Sequence, residues 1–321
     1  MSKNASSDFD ELQISDNPQE MLKKNFYFDE RAVNEQYSVH STRAKSNYKS
    51  GNRCFYFSGL CAAEMSCSII KVTNHNPADH FYYVVDLTVT NADKELLKEV
   101  NQSVMKNQGI ITSVKGAYNL SVRGKNKTRI ALDFLEKYPI LVGDLAKNRI
   151  IILKTALAYL DTHRTYRLQK EKIEKMEELR KKLREIKTEG IVDQVFDTQF
   201  SDAMSLGYFF AGVIDGEGSF GTKKSGKNAQ PFFAIAMKDR KIIESLNKFV
   251  SYGNVRLRKD GVYHLEINHR EILKNICEMF LILYPLRHKR QKERLEKLQQ
   301  LLNDYTPRSL KPIWHREYDI V

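Results

Sequence analysis

Hydrophobic and polar positions follow the same order twice along this chain. In each copy a short, mainly apolar segment predicts a buried helix, and alternating apolar and polar residues then predict two strands. These strands are expected at 66–72 and 81–90 in the first copy, and at 219–224 and 232–237 in the second. An amphipathic helix, a second two-strand unit and helices around a Tyr-Pro pair follow each time. Each half is therefore predicted to be α+β with a mainly antiparallel sheet.

The two copies also match in sequence. FSGLCAAEMS begins at Phe57 and FAGVIDGEGS at Phe210, 153 residues later. The pairs TNADKELLKEVNQSV with AMKDRKIIESLNKFV and FLEKYPIL with FLILYPLR are 146 residues apart, and GAYNLSV with GVYHLEI is 145 apart. Four blocks in one order indicate a tandem duplication. The prediction is two pseudo-symmetric αββαββα repeats.

The predicted organisation has five parts. A polar N-terminal extension covers 1–52, the first repeat 53–162, a charged helical linker 163–204, the second repeat 205–306 and a C-terminal tail 307–321. The linker is dense in Lys, Arg and Glu at helical spacing, which favours a solvated helix. Contact of its basic side with DNA phosphates is the alternative.

Charge points to a polyanionic partner. The chain has 52 Lys and Arg against 40 Asp and Glu, a formal charge of +12. Nucleic acid suits this excess, because each cation on a phosphate releases condensed counterions; a merely soluble basic protein is the plainer alternative. Four cysteines without a C-x-x-C pair, no secretory signal and no long apolar run predict an intracellular protein with reduced thiols and no membrane association.

One face of the second predicted sheet is basic and polar. In the segment 263–268, His264, Glu266 and Asn268 alternate with apolar residues, and Arg256 and Arg258 alternate with apolar residues in the strand before it. Such a face can follow a nucleic-acid groove. Three further positions on the strands after the apolar helices complete the predicted DNA-contacting set, and these are Ser66, Ser68 and Lys223.

Small residues recur one helical turn apart in both apolar helices. Gly212 and Gly216 occupy these places in the second copy, and Gly59 and Ala63 in the first. A glycine inside a helix costs up to about 1 kcal/mol relative to alanine. Close approach of two helix backbones offsets that cost, so the two helices are predicted to cross on these residues.

This crossing would bring two carboxylates together. Glu64 and Glu217 each follow the second small residue, near a helix C-terminus that already carries partial negative charge. The two acids also repel each other and a polyanionic partner. Divalent cations resolve these conflicts by binding both acids and phosphate oxygens and by activating water, so metal-assisted phosphodiester hydrolysis is predicted. The alternative is a solvated pair of surface acids.

The segment FFAGVIDGEGSF is very similar to the LAGLIDADG motif, and FYFSGLCAAEMSCSI looks like a degraded copy of it. The chain therefore resembles single-chain, double-motif LAGLIDADG homing endonucleases from about residue 53 to 308. The resemblance implies a saddle-shaped sheet surface with the motif helices at its centre, and Mg²⁺ or Mn²⁺ as cofactor. It places metal ligands at Glu64, Glu217 and the main-chain carbonyls of Ala63 and Gly216, and a supporting basic residue in the catalytic site at Lys289.

The resemblance also implies a partner and a setting. Such proteins act as monomers on double-stranded DNA with one long asymmetric site, and they reside in group I introns. An organelle, mitochondrion or chloroplast, is the expected location, with bacterial or phage cytoplasm as the alternative. Some members are maturases that bind intron RNA and assist splicing, and a third alternative is a DNA-binding protein without catalysis.

The first copy departs from the pattern. Ala62 stands where the second copy has Asp215, and Met65 replaces Gly218 at a helix end where backbone freedom is useful. Asp144 falls at the place expected for a lysine, with Lys147 three residues out of register. Unequal chemistry in the two halves is therefore expected.

Overall fold

A computed structural model of the protein describes residues 51–73, 81–162, 170–196, 202–225, 228–250 and 252–304. The predicted extension, apart from residues 51 and 52, lies outside the described residues, as does the predicted tail 307–321.

The first repeat begins, after a short 3₁₀ turn at Asn52–Cys54, with the motif helix. Its elements are α1 (Phe55–Glu64), β1 (Met65–Thr73), β2 (Phe81–Asn91), α2 (Lys94–Ser103), β3 (Ile110–Val114), β4 (Ala117–Arg123), α3 (Lys125–Lys137) and α4 (Asp144–Asp161). A separate helix, α5 (Lys170–Glu189), follows before the second repeat.

The second repeat has the same order of elements. They are α6 (Ala203–Glu217), β5 (Gly218–Ser225), β6 (Asn228–Met237), α7 (Arg240–Phe249), β7 (Asn254–Leu257), β8 (Tyr263–Ile267), α8 (Arg270–Glu278) and α9 (Lys289–Asn303), with a π-helical turn at Met279–Leu283. The predicted αββαββα order is confirmed. The final helical part of each repeat consists of two helices, divided near Pro139 and Pro285, because proline cannot continue a helix.

Each repeat forms one antiparallel, four-stranded sheet. The strand orders are β1-β2-β4-β3 and β5-β6-β8-β7. Strand β6 begins earlier than predicted and includes Pro231, which is tolerated because pairing of β6 with β8 starts only at Phe233.

The two faces of each sheet differ in burial. Alternate residues of β1, β2 and β4, among them Ile69, Val85, Leu87 and Leu120, are buried beneath helices. In the second sheet Phe220 and Phe233 stack with ring centroids 5.2 Å apart on the covered face. The opposite face of each sheet is not covered by these helices, and it is called the open face below.

Helix α5 corrects the expectation of a fully solvated linker. It packs on α4 and β1 through a buried row that consists of Met176, Leu179, Leu183 and Ile186. The row has helical spacing, but most residues around it are charged, so the sequence did not indicate a buried face. The hydroxyl of Tyr83 on β2 also donates to the Glu177 carboxylate, at 2.7 Å. Helix α5 is therefore part of the first repeat's packing.

None of the helices within the described ranges is long and apolar enough to cross a membrane.

Candidate active site between the repeats

The two motif helices, α1 and α6, pack through backbone contact at their small residues. A Cβ added to Gly59 would lie 1.8 Å from the Phe209 carbonyl oxygen, and one added to Gly212 would lie 1.9 Å from the Tyr56 carbonyl oxygen. These distances leave no room for a side chain, so glycine is required at both positions. The predicted crossing of the helices is confirmed.

The same crossing brings the two motif glutamates together. A Cβ on Gly216 would meet the Ala63 Cβ at 2.7 Å and the Glu64 Oε1 at 3.4 Å. The Glu64 side chain therefore passes over the backbone of α6 one residue before Glu217. Since α1 ends at Glu64 and α6 ends at Glu217, both carboxylates lie at helix C-termini, as predicted.

The electrostatics of this pair favour a cation. Burial, and then the nearby Glu217 carboxylate, raise the pKa of Glu64 to about 8. Partial burial raises the pKa of Glu217 as well, although its side chain has more solvent contact than that of Glu64. Both raised pKa values mean that negative charge is unfavourable at this position. A bound cation would stabilise the ionised carboxylates.

The donors present fit a divalent ion shared with a substrate. No cluster of three His, Cys, Asp or Glu side chains occurs among the residues that the structure describes. The last carbonyls of a helix have no partner within the helix, so those of Ala63 and Gly216 can join the two carboxylates. Mg²⁺ commonly takes one or two carboxylates and fills its other positions with waters and substrate phosphates.

Asp215 supports the site without being part of the carboxylate pair. It is buried, and its Oδ2 accepts hydrogen bonds from the Tyr56 hydroxyl at 2.6 Å and from the backbone N–H of Arg287 and His288 at 2.6 and 3.0 Å. Burial raises its pKa to about 6, and these hydrogen bonds oppose the rise. Asp215 thereby holds the segment that leads into α9, a contact that Ala62 cannot make in the first repeat.

Met65 is accommodated at the place of Gly218. Both residues have extended backbone, with φ of −81° and −73°, so the backbone freedom expected of Gly218 is not used. A Cβ on Gly218 would instead lie 2.5 Å from the Ile214 carbonyl oxygen, which explains the glycine sterically.

Side chains from the last helix of each repeat reach the backbone just after the glutamates. In the second repeat Gln291 donates to the Gly218 carbonyl at 2.6 Å, and Arg294 donates to the Ser219 hydroxyl at 3.2 Å. In the first repeat Arg149 donates to the Met65 carbonyl at 2.8 Å. Sequence reasoning missed all three residues.

Lys289 stands at the start of α9. Its backbone N–H donates to the Asp93 carboxylate at 3.0 Å, and its side chain is exposed. Asp93 also accepts from two N–H groups at the start of α2. The matching residue of the second repeat, Asp239, accepts from the backbone N–H of Leu145 in α4 at 2.8 Å. Each repeat thus caps the last helix of the other.

The expected position of Asp144 is corrected. Its carboxylate accepts from the Phe196 N–H at 3.0 Å and pairs with Lys241 at 3.2 Å, and the Lys147 amine donates to the Leu141 carbonyl. By its contact after the motif, Arg149 corresponds to Gln291. Arg149 is ten residues beyond Pro139 and Gln291 six beyond Pro285, because the contacting residue lies about one helical turn further along α4 than along α9.

The predicted DNA-contacting residues lie on the open faces. Ser66 and Ser68 pair with Thr88 and Asp86 across β1 and β2. In the second sheet Lys223, Arg256 and His264 share one face with Glu266, as the strand register requires.

Glu266 partly neutralises this basic face. Lys223 forms an ion pair with it, and the Arg256 guanidinium is 3.7 Å from its other oxygen. Arg258 lies just beyond the end of β7 and pairs with Asp260 at 2.8 Å. The acid orders the basic side chains while leaving a net positive face.

The chain was compared with known proteins. Residues 210–300 match the profile of a family described as LAGLIDADG endonuclease. No match was found among curated proteins.

Solved structures share the fold of both repeats. The LAGLIDADG homing endonuclease I-GzeII in complex with its DNA target has a TM-score of 0.64 at 17% identity, over 78% of this chain and 89% of that chain. I-SmaMI bound to uncleaved DNA with calcium ions has a TM-score of 0.64 at 18% identity, over 79% and 94%. I-LtrWI bound to target DNA has a TM-score of 0.64 at 18% identity, over 78% and 90%. The resemblance seen in the motif is thereby confirmed for the fold.

Proposed function

Because residues 210–300 match the LAGLIDADG endonuclease family and both repeats together have the fold of solved LAGLIDADG homing endonucleases, we propose that this protein is a site-specific double-strand DNA endonuclease. Function does not follow from fold alone, so the proposal depends on the site. The observation that carries it is the convergence of Glu64 and Glu217 at the ends of two helices in backbone contact.

The two glutamates are the proposed metal ligands. They would hold divalent metal, Mg²⁺ or Mn²⁺, together with the carbonyls of Ala63 and Gly216 and the scissile phosphates. When bound, the ion supplies charge stabilisation and an activated water for phosphodiester hydrolysis. The raised pKa of Glu64 supports the proposal, since a carboxyl that resists ionisation alone is stabilised as the anion by a cation.

Other residues of the chain position this pair. Asp215 anchors the segment before α9, and Gln291 holds the carbonyl that follows Glu217. Arg149 does the same after Glu64. Lys289 remains the proposed supporting basic residue of the second half, since its exposed side chain at the start of α9 can approach a phosphate. These contacts fix the backbone directly after both carboxylates.

The proposed partner is double-stranded DNA with a long, asymmetric site, bound by a monomer. One chain carries both motif glutamates, so no second copy is required. The structures of I-GzeII, I-SmaMI and I-LtrWI, which have a similar fold, include DNA complexes, which favours DNA over intron RNA as the partner. A group I intron in an organelle is the proposed setting, and the genomic sequence flanking the reading frame tests it.

The test is a substitution that removes the negative charge of one motif glutamate and keeps its shape. Glu217→Gln keeps the shape but removes the charge that metal binding needs, so cleavage should fall by at least about a thousandfold while DNA binding persists. The measurement is recovery of cut molecules from a plasmid library of randomised sites in Mg²⁺, followed by single-turnover rates on a recovered site.

A matched control is Glu271→Gln. Glu271 is an exposed residue of α8 that pairs with Lys274, so the same chemical change there should leave cleavage unaltered. Cleavage by Glu217→Gln at the wild-type rate would refute the assignment of the metal ligands.

A further inference from the structure

The open faces of the two sheets differ in chemistry. On the first sheet, the strand register places several large apolar side chains on this face, and these are Ile70, Val72, Tyr82, Val84, Ile110 and Val114. Ile110 is 61% exposed and Tyr82 46%. Solvent-facing apolar residues in such number mark a binding surface.

The first sheet also has little free positive charge on this face. Among its described strand residues there, the single cation is Arg123, whose Nε is 3.4 Å from the Asp86 carboxylate. Lys127 adds one amine from α3 at the same corner. Hydroxyl and amide side chains such as Thr112 and Asn119 occupy positions between the apolar ones.

The second sheet presents the opposite pattern. Among its described strand residues, the open face carries Lys223, Arg256 and His264 around the carboxylate of Glu266. The largest apolar side chain among them is that of Phe232, which is half-buried beside Gly221. The two sheets are topologically equivalent, so the difference lies in their side chains alone.

Both faces start at the same point of the molecule. Strand β1 begins directly after Glu64 and β5 directly after Glu217, and these glutamates meet at the helix crossing. A duplex centred on the glutamates would therefore run over both open faces. This continuity makes DNA, rather than a protein partner, the occupant of the apolar face.

Building on the proposed endonuclease function, we propose that the two half-sites are read by different chemistries. The first sheet recognises A·T pairs through the C5-methyl groups of thymine, and the second recognises G·C pairs and phosphates. Apolar side chains contact the thymine methyl in the major groove, whereas Arg and Lys donate to guanine O6 and N7 and Glu accepts from cytosine N4. The residues assigned to base contacts are Ile110 and Val114 in the first sheet and Arg256 and Glu266 in the second, and Lys223 is assigned to a phosphate.

The experiment is a selection of bound duplexes from a randomised DNA pool by the full chain in calcium buffer, the condition in which I-SmaMI holds uncleaved DNA. Recovered sites should have one half rich in A·T and the other rich in G·C. Replacing thymine by uracil, which lacks only the C5-methyl group, should weaken binding about fourfold per contacted methyl in the A·T half. The same replacement in the other half should have no effect.

Three variants assign each half to its sheet. Ile110→Ala should reduce the uracil effect, with Val114 supplying the remainder, and leave the G·C preference, whereas Arg256→Ala should relax the G·C preference and leave the uracil effect. Ile191→Ala is the control, since Ile191 is 53% exposed outside both sheets.

Each other outcome overturns a defined claim. Equal base composition in both halves, or a uracil effect that Ile110→Ala does not change, would overturn the two-chemistry proposal and leave the endonuclease intact. Self-association lost in Ile110→Ala with unchanged DNA selection would show that the apolar face binds a second copy. Failure to retain any duplex would overturn the proposed function itself.

Discussion

At the scale of single residues, Glu64 and Glu217 have different environments although the duplication made them equivalent. Glu64 is the more buried and lies against Gly216. Its pKa of about 8 means that the protein alone holds a proton there at neutral pH. Ionisation, which metal binding requires, thus competes with burial at this residue.

Stability without metal should depend on pH through Glu64. Its folded pKa lies above the ordinary value of 4.5, so the native state binds the proton more tightly than the unfolded state. The free energy of unfolding should then decline as pH rises from about 5 to about 8. Urea unfolding in EDTA at several pH values measures this decline.

Glu64→Gln provides the comparison, because an amide cannot ionise. The variant should gain stability relative to the wild type as pH rises, and divalent metal should restore stability only to the wild type. Curves that stay parallel across this range would show that Glu64 is ionised at no cost.

Arg149, rather than residue 144, should govern the first half of the site. Arg149→Met removes the hydrogen bond to the Met65 carbonyl and should slow cleavage of one strand about tenfold or more, so that nicked circles accumulate. Asp144→Lys, whose side chain would meet Lys241, should not accelerate either strand. Single-turnover assays with end-labelled duplex measure the two strands separately. Faster cleavage by Asp144→Lys would show that residue 144 does occupy the lysine position, as the sequence alignment of the repeats predicted.

At the scale of elements, the helix crossing is the feature on which the site depends. Two glycines permit backbone contact at Gly59 and Gly212. Asp93 and Asp239 then tie the last helix of each repeat to the other repeat. Displacement of one motif helix would therefore disturb both the carboxylate pair and these caps.

Gly212→Ala should destabilise the protein and abolish cleavage. The new Cβ would lie 1.9 Å from the Tyr56 carbonyl oxygen, and overpacking against backbone costs about 1–3 kcal/mol or more. Thermal unfolding and cleavage assays measure the two effects. Gly51→Ala is the matched control, since Gly51 has a φ of −60° and no atom nearer than 4.0 Å to an added Cβ. Equal stability of the two variants would contradict the packing of α1 on α6.

At the scale of the whole molecule, the charge of +12 and the basic open face of the second sheet suit a duplex. The first sheet contributes little charge there. Electrostatic affinity should therefore be concentrated in one half of the binding surface.

Affinity should fall by about 0.9 log unit per log unit of salt for each phosphate neutralised. Lys223→Ala should reduce this slope by about one phosphate. Lys98→Ala is the control, since Lys98 is an exposed residue of α2, a helix that packs on β2 and β4 through buried leucines. Fluorescence anisotropy across a salt series measures the slopes, and an affinity that does not change with salt would exclude a phosphate-following surface.

The amino-acid sequence determined the duplication, the order of elements, the helix crossing and the glutamate pair. These features depend on local periodicity and on small residues such as Gly212. Glycine lowers the stability of a helix, and close approach of a second helix explains why it is present. Tertiary structure decided the rest. Arg149 could not be found because it lies about one helical turn further along its helix than Gln291 does, and only folding shows which side chain reaches the Met65 carbonyl. The buried role of Asp215 and the packed row of α5 likewise depend on partners distant in sequence, since burial is a property of the folded contacts and not of the residue type.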